Sequence, residues 1–275
     1  MTFKTWFVTG AGRGFGRHFT KAALERGDRV TATARDVAAL NDLRTTHGDR
    51  LLVLALDVTD ADAVAAAVSA AHERFGTLDI VVNNAGYGLF GMVEELETEE
   101  LRRQFDVNLF GAFHVTQAAL PILRAQGQGH IVQISTVGGL VSFPGLGGYN
   151  ASKWALEGLT EALAQEVGAF GVKVTLVEPG AYSTDWAGSS AAHATPNSAY
   201  DDVRRAVDAS WGSQPTEWVG NPEAVGRALL EIVDNANPPL RVFFGVAPTV
   251  VVPQAYAARL AEWSAWNDLS RRANG

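Results

Sequence analysis

Thr9-Gly10-Ala11-Gly12-Arg13-Gly14-Phe15-Gly16 lies between a short apolar run, residues 5–9, and a segment of helical periodicity, residues 17–26, closed by Gly27. Strand, glycine turn and helix follow one another as they do where a dinucleotide's pyrophosphate meets a helix N-terminus. Glycines there let the backbone turn tightly and approach the anion. The spacing is Gly10-x-x-x-Gly14-x-Gly16, and no G-x-G-x-x-G register fits, because Phe15 and Arg17 stand where its third glycine would fall. Such a turn also reads as a plain strand-to-helix connection, so the rest of the chain has to decide.

Outward from this turn the pattern repeats. Residues 29–34 are strand-like, 37–46 helical, 51–56 strand, 61–75 an alanine-rich helix closed by Gly76, and 79–82 strand. After Asn83-Asn84-Ala85-Gly86 the periodicity predicts a helix over 98–124, a strand over 130–134, a helix over 149–170 and a strand over 173–177. Unbroken alternation of this kind predicts an α/β fold, a Rossmann-type doubly wound parallel sheet of about seven strands with helices on both faces. Ligands of such sheets sit beyond the strands' carboxyl ends. No domain boundary is visible, so residues 1–275 read as one dinucleotide-binding and catalytic domain. Residues 182–218 are polar and small, which predicts a substrate lid or a disordered insertion, the lid being preferred. Helix 222–235, strand 240–244 and an amphipathic C-terminal helix over 254–271 complete the expectation.

Composition narrows the function. The 275 residues are 47% hydrophobic and 19% charged, with mean hydropathy +0.02, which supplies a substantial core and excludes a mostly disordered chain. A net charge of −8 lacks the basic field that gathers polyanions, so neither nucleic acid nor an anionic membrane is an expected partner. Zero cysteines exclude disulfides and thiolate chemistry and fit a reducing compartment. With no signal-peptide core or membrane-spanning segment in view, the expected location is the cytoplasm. The six histidines show no ligand spacing, and no catalytic metal is expected.

Tyr149 and Lys153 stand four apart on a predicted helix and share a face. An ammonium beside a phenol stabilises the phenolate and brings the group toward a pH where it exchanges a proton. After strand 29–34, Ala34 supplies no carboxylate for ribose hydroxyls, whereas Arg35 supplies a cation suited to a 2′-phosphate, with Arg13 a second candidate. Both arginines also read as solvated surface charge. Asp36 reads as a helix cap.

Taken together, T-G-x-x-x-G-x-G at Thr9 to Gly16, Asp57-Val58, N-N-A-G at Asn83 to Gly86, Asn108, Ser135-Thr136, Y-x-x-x-K at Tyr149 to Lys153, and Pro179-Gly180 resemble the short-chain dehydrogenase/reductase family, single-domain branch. The stretch 178–190 is similar to its hydroxysteroid-dehydrogenase-like group. The resemblance implies NADP(H) held by Gly10, Gly12, Arg13, Gly14, Phe15, Gly16, Arg35, Asp57, Val58, Asn84, Ala85, Gly86, Tyr149, Lys153, Pro179, Gly180 and Thr184. It implies Tyr149 as general acid/base, Lys153 as its partner, and Asn108 holding a water that links the lysine to solvent. The bland readings stay open: a structural turn for Asn83 to Gly86, an interhelical hydrogen bond for Asn108.

The family's usual serine stands thirteen positions before the tyrosine, which here is Thr136; Ser135 is the alternative through a small register shift. The implied reaction interconverts a ketone or aldehyde and an alcohol. Five tryptophans after residue 180, at 186, 211, 218, 263 and 266, suggest an apolar or aromatic substrate, or simply anchor the lid and last helix. Homodimers or homotetramers are a family expectation. The rival readings are an acyl-carrier-protein-dependent reductase, a sugar-nucleotide epimerase-like enzyme and an NADP-binding redox sensor without turnover.

Overall fold

The computed structural model describes residues 3–188 and 191–275; the lid expectation at 189 and 190 and the first two residues lie outside that description. The sequence builds β1 (Thr5–Val8), α1 (Gly14–Arg26), β2 (Arg29–Ala34), α2 (Asn41–His47), β3 (Leu51–Ala55), α3 (Ala61–Phe75) and β4 (Ile80–Asn83). Then follow β5 (Leu89–Phe90), α4 (Thr98–Phe105), α5 (Ala112–Gln126), β6 (Gly129–Ile134), α6 (Gly147–Val167), β7 (Val172–Pro179) and β8 (Ala192–His193). The chain continues through α7 (Asp201–Gly212), α8 (Glu223–Asp234), β9 (Arg241–Phe244), α9 (Ala247–Ala265) and α10 (Asn267–Arg272).

Seven strands form one parallel sheet in the order β3-β2-β1-β4-β6-β7-β9. The order reverses between β1 and β4, and the carboxyl ends of those two strands carry the glycine turn and Asn83 to Gly86. That is the crevice in which a doubly wound sheet binds its ligand.

Side chains alternate across the pleat, so neighbours in β1 serve opposite layers. Trp6 packs with Phe19, Leu24 and Leu229 on one face, and Phe7 with Val68, Val115 and Leu123 on the other. Each buried aromatic of this kind contributes about 3–5 kcal/mol against truncation to alanine. The Trp6 indole N–H, which burial would otherwise strand, donates to Asp28 Oδ2 at 2.8 Å. Local signals place the helix ends as read: Asp60 accepts from Ala63 N–H at 3.0 Å to start α3, Gly76 ends it at φ +77°, and Asp36 accepts from Ala38 N–H at 2.9 Å.

Three expectations change. The helix expected over 98–124 is interrupted by a π turn, Asp106–Gly111, between α4 and α5. The C-terminal helix begins at Ala247 rather than 254 and breaks at Trp266; Pro248 sits in its first turn, where a missing N–H costs nothing, and buried Val252 anchors the segment through Pro253. The lid region carries α7 and a two-residue parallel pairing of β8 with β5, too short for any periodicity to announce.

Candidate active site

Two strand ends are stitched together at the crevice. The Thr9 hydroxyl oxygen accepts the N–H groups of Asn84 and Ala85, both at 3.0 Å, and Asn84 Nδ2 donates to the carbonyls of Thr9 at 2.9 Å and Gly10 at 3.2 Å. A Cβ on Gly16 would stand 2.5 Å from both Gly10 O and Asn84 Nδ2, so only glycine lets α1 start this close to β4. Asn83 points away, donating to Ala112 O at 3.3 Å and Thr116 Oγ1 at 3.1 Å. The structural reading of Asn83 to Gly86 therefore applies to Asn83 and Asn84, while Gly86 is exposed in the crevice.

The N-terminus of α1 fits an anion. Its N-cap, Arg13, makes no side-chain capping bond, and its first turn holds no acidic residue, whereas α3 is capped by Asp60. The first N–H groups of α1 thus have no side-chain cap and point where a pyrophosphate would sit, among Gly10, Gly12 and Gly14. Phe15 packs edge-on against Tyr182, 4.8 Å between centroids. Arg13 pairs with Asp185 at 3.6 Å, and Arg35 is exposed just past β2.

Around the crevice, Asp57 accepts from Thr59 N–H at 3.0 Å and Thr59 Oγ1 at 2.8 Å. The backbone bond from Thr59, then its hydroxyl and the nearby Arg35 charge, hold that carboxyl below its ordinary value. Val58 is buried and its carbonyl accepts from His114 Nδ1 at 3.1 Å. Gly180 N–H donates to Phe244 O at 2.9 Å, fixing the turn after Pro179, and Thr184 N–H donates to Tyr182 O at 2.7 Å.

The π turn places Asn108. A π turn inserts a residue into the helical ladder, and here it swings Asn108 inward. Its Oδ1 accepts Tyr87 N–H at 3.0 Å, and its Nδ2 donates to Tyr87 O at 3.0 Å and to Ser152 Oγ on α6 at 3.1 Å. The interhelical hydrogen bond thus exists, and it also brings Asn108 to the site: a Cβ on Gly86 would lie 3.0 Å from Asn108 Oδ1 and 3.6 Å from Lys153 Nζ.

Tyr149 and Lys153 project from α6 and are buried, at 7% and 5% exposure. Lys153 Nζ donates to Ile134 O at 2.8 Å, and burial, partly offset by Glu157, pulls the ammonium down to about 8. Burial pushes the Tyr149 phenol up, opposed by a hydrogen bond from Thr136. The net upward direction is opposite to that expected from the lysine alone, because desolvation of the phenolate is the largest effect on this group.

Of the two hydroxyl candidates, Thr136 is the one in reach of Tyr149; its Oγ1 accepts from Gly138 N–H at 3.2 Å, and its single proton has Pro179 O at 3.3 Å as the alternative acceptor to Tyr149. Ser135 is turned the other way: a Cβ on Gly139 would meet Ser135 Oγ at 2.8 Å and Glu157 Oε1 at 3.1 Å.

The lid reaches this site. Trp186 lies 4.9 Å from the Tyr149 ring and 5.3 Å from Phe90, on which His193 stacks at 5.0 Å. Trp211 touches Phe143 at 5.8 Å. Trp263 and Trp266 remain 65% and 62% exposed, so neither anchors the last helix. The motif reading passed over Phe90, which lies outside every quoted motif, over Ser152, which fills an unspecified position of Y-x-x-x-K, and over Glu157 and Glu178. A charged residue directly after the mostly apolar run Val174 to Val177 was the available signal for Glu178.

Among the described residues, no group of three or more histidines, aspartates or glutamates is arranged to hold a metal ion, and no helix is long and apolar enough to cross a membrane.

The chain as a whole is similar to known proteins. Residues 4–195 match the family model described as short chain dehydrogenase. Oxidoreductase BOA17 of Botryotinia fuckeliana is 40% identical over 268 residues, covering 97% of this chain and 98% of that protein. The crystal structure of a short-chain dehydrogenase from Streptomyces avermitilis superposes with a TM-score of 0.90 at 38% identity, covering 99% of this chain and 98% of the other. A short-chain dehydrogenase/reductase of Burkholderia phymatum in complex with NAD gives a TM-score of 0.77 at 27% identity, covering 98% and 95%.

Proposed function

The chain belongs to the short-chain dehydrogenase/reductase family, as an oxidoreductase with a nucleotide-binding Rossmann fold, and from that premise we propose that it interconverts a ketone or aldehyde and an alcohol with NADP(H), acting as one catalytic unit over residues 1–275. The observation that carries the reading is a buried phenol, Tyr149, with the Thr136 hydroxyl in reach and Lys153 one helical turn away. When bound, the nicotinamide supplies the hydride equivalent.

The chain's own residues do the rest. Tyr149 Oη gives its proton to the carbonyl oxygen in reduction and takes it back in oxidation, and Thr136 Oγ1 donates a hydrogen bond to the same oxygen as negative charge develops there. Lys153 holds the nicotinamide ribose and lowers the cost of the phenolate. Asn108 holds the water through which the lysine exchanges protons with solvent.

Arg35, exposed directly after Ala34, which supplies no carboxylate for the ribose hydroxyls, supports the 2′-phosphorylated cofactor, with Arg13 as a second contact. Pro179, Gly180 and Thr184 shape the nicotinamide side. Phe90 and Trp186 beside Tyr149 support an apolar or aromatic carbonyl as substrate. The absence of cysteine supports a reducing compartment such as the cytoplasm, and family practice supports a homodimer or homotetramer.

The test is NADPH and NADH oxidation with a panel of aliphatic, aromatic and steroidal carbonyls, with Tyr149→Phe alongside. Turnover that prefers NADPH and vanishes in Tyr149→Phe is the expected result. Turnover that survives Tyr149→Phe overturns the proton donor, and a preference for NADH overturns the role of Arg35.

A further inference from the structure

Three carboxylates converge on one guanidinium behind the site. Arg241 Nη1 pairs with Glu157 Oε2 and, at 3.0 Å, with Glu178 Oε1, while Nη2 pairs with Glu161 Oε2 at 2.9 Å. Glu161 is largely in solvent, but Glu157 is 4% exposed and Glu178 is fully buried. Glu157 Oε1 and Glu178 Oε2 have no hydrogen-bond partner among the described residues. Two desolvated carboxylates beside a single cation that is already shared with a third cannot both stay ionised without a large penalty. A proton between them turns repulsion into a hydrogen bond. We propose that Glu157 and Glu178 share one proton, and that its position sets the charge on Lys153.

The surroundings make the pair specific to this site. Glu157 stands one helical turn beyond Lys153 on the same face of α6, with Glu161 a turn further. From the end of β6, the Ser135 hydroxyl faces Glu157; from β9 comes Arg241; and α9 contributes Tyr256, while Arg259 is held by Leu140 O at 2.8 Å. Glu178 and Arg241 also border a cleft of about 300 Å³ with Phe243, Val252, Pro253 and Tyr256. The directions of titration agree: burial first, then the Glu157 charge, pushes Glu178 up to about 7, and burial pushes Glu157 up as well. Glu157 is the carboxyl whose charge acts on Lys153.

The consequence for catalysis rests on the function proposed above; the shared proton does not. Glu178→Gln leaves Glu157 as the one buried carboxylate on Arg241, ionised one turn from Lys153, so the ammonium titrates higher. Glu157→Gln removes the nearest carboxylate, so Lys153 titrates lower. A purely structural pair would move Lys153 in the same sense in both variants.

The chain contains four lysines, Lys4, Lys21, Lys153 and Lys173, so NMR titration of 13Cε-labelled lysine resolves the Lys153 signal, assigned by its loss in Lys153→Arg. The expected result is opposite shifts of about one pH unit, upward in Glu178→Gln and downward in Glu157→Gln. Shifts in one direction, or none, overturn the proposal. Infrared spectroscopy of the wild type needs no variant: a protonated carboxyl band should be present below neutral pH and fade as pH rises, and its absence overturns the proposal too. If Lys153 shifts as expected but no carbonyl is turned over, the proton pair stands and the functional reading falls; turnover without opposed shifts means the reverse.

Discussion

The Trp186 indole rests against the Tyr149 ring, with 4.9 Å between centroids and 55° between planes. Through this contact a lid residue packs on the buried phenol. An aromatic pair of this kind contributes about 0.5–1.5 kcal/mol beyond its buried area. Trp186→Ala is therefore expected to lower kcat/KM for planar aromatic carbonyls about tenfold relative to small aliphatic ones. Because burial is what raises the phenol, the same variant should move the alkaline limb of the pH–rate profile to lower pH. Steady-state kinetics over the two substrate classes checks both, and an unchanged ratio would remove Trp186 from the substrate wall.

Thr136 and Ser135 divide two roles that the motif alone leaves ambiguous. Thr136 reaches Tyr149, and Ser135 faces Glu157 on the opposite side of the turn. Loss of one hydrogen-bond donor to a developing oxyanion typically costs about 10²–10³ in kcat. Thr136→Val should show that loss and Thr136→Ser should largely restore the rate, while Ser135→Ala should stay within a few fold of wild type. Comparable losses in Ser135→Ala and Thr136→Val would contradict this division.

Arg35 emerges at the end of β2 with its side chain in solvent. If it reads the 2′-phosphate, Arg35→Ala removes charge-assisted hydrogen bonds worth about 1.5–3 kcal/mol, or roughly 10–100-fold in affinity. NADPH binding should weaken by that factor while NADH binding changes little, as measured by titration of the cofactor's fluorescence. Equal weakening of both cofactors would assign the selectivity elsewhere.

How much of this was readable beforehand depended on the length over which a physical signal was written. The bounds of β2 and α3 follow from apolar periodicity and from capping by Asp60 and Gly76, which are local and strong. The π turn at Asp106–Gly111 was not readable, because apolar spacing runs through it unbroken and its cause is tertiary: Asn108 is drawn to Tyr87 and Ser152, residues 21 and 44 positions away. The same holds for the direction of Tyr149's titration. Spacing places a lysine beside it, but the desolvation that dominates comes from Trp186 and the packed crevice. Glu157 and Glu178 are far apart in sequence and become a pair only when β7 and α6 flank Arg241.

Glu95 fastens the lid to the body of the protein. Its carboxylate accepts Asn197 N–H at 2.7 Å and Met92 N–H at 2.8 Å, and Arg204 of α7 pairs with it at 2.9 Å. The Arg204 hydrogen bond, then the two backbone donors, hold it down from 4.5 to about 2. A carboxyl depressed on folding stabilises fully above its unfolded value and loses that contribution as pH falls through its folded value. The latch is therefore complete above pH 4.5 and weakens toward pH 2. Glu95→Gln keeps the shape but forfeits the charge on Arg204. Thermal unfolding should show a lower Tm for Glu95→Gln at neutral pH, with the gap to wild type closing as pH drops below the unfolded carboxyl value. Hydrogen exchange at Asn197 should be faster in the variant at neutral pH. A Tm gap that is constant with pH would mean that Glu95 holds the lid by its shape and not by its charge.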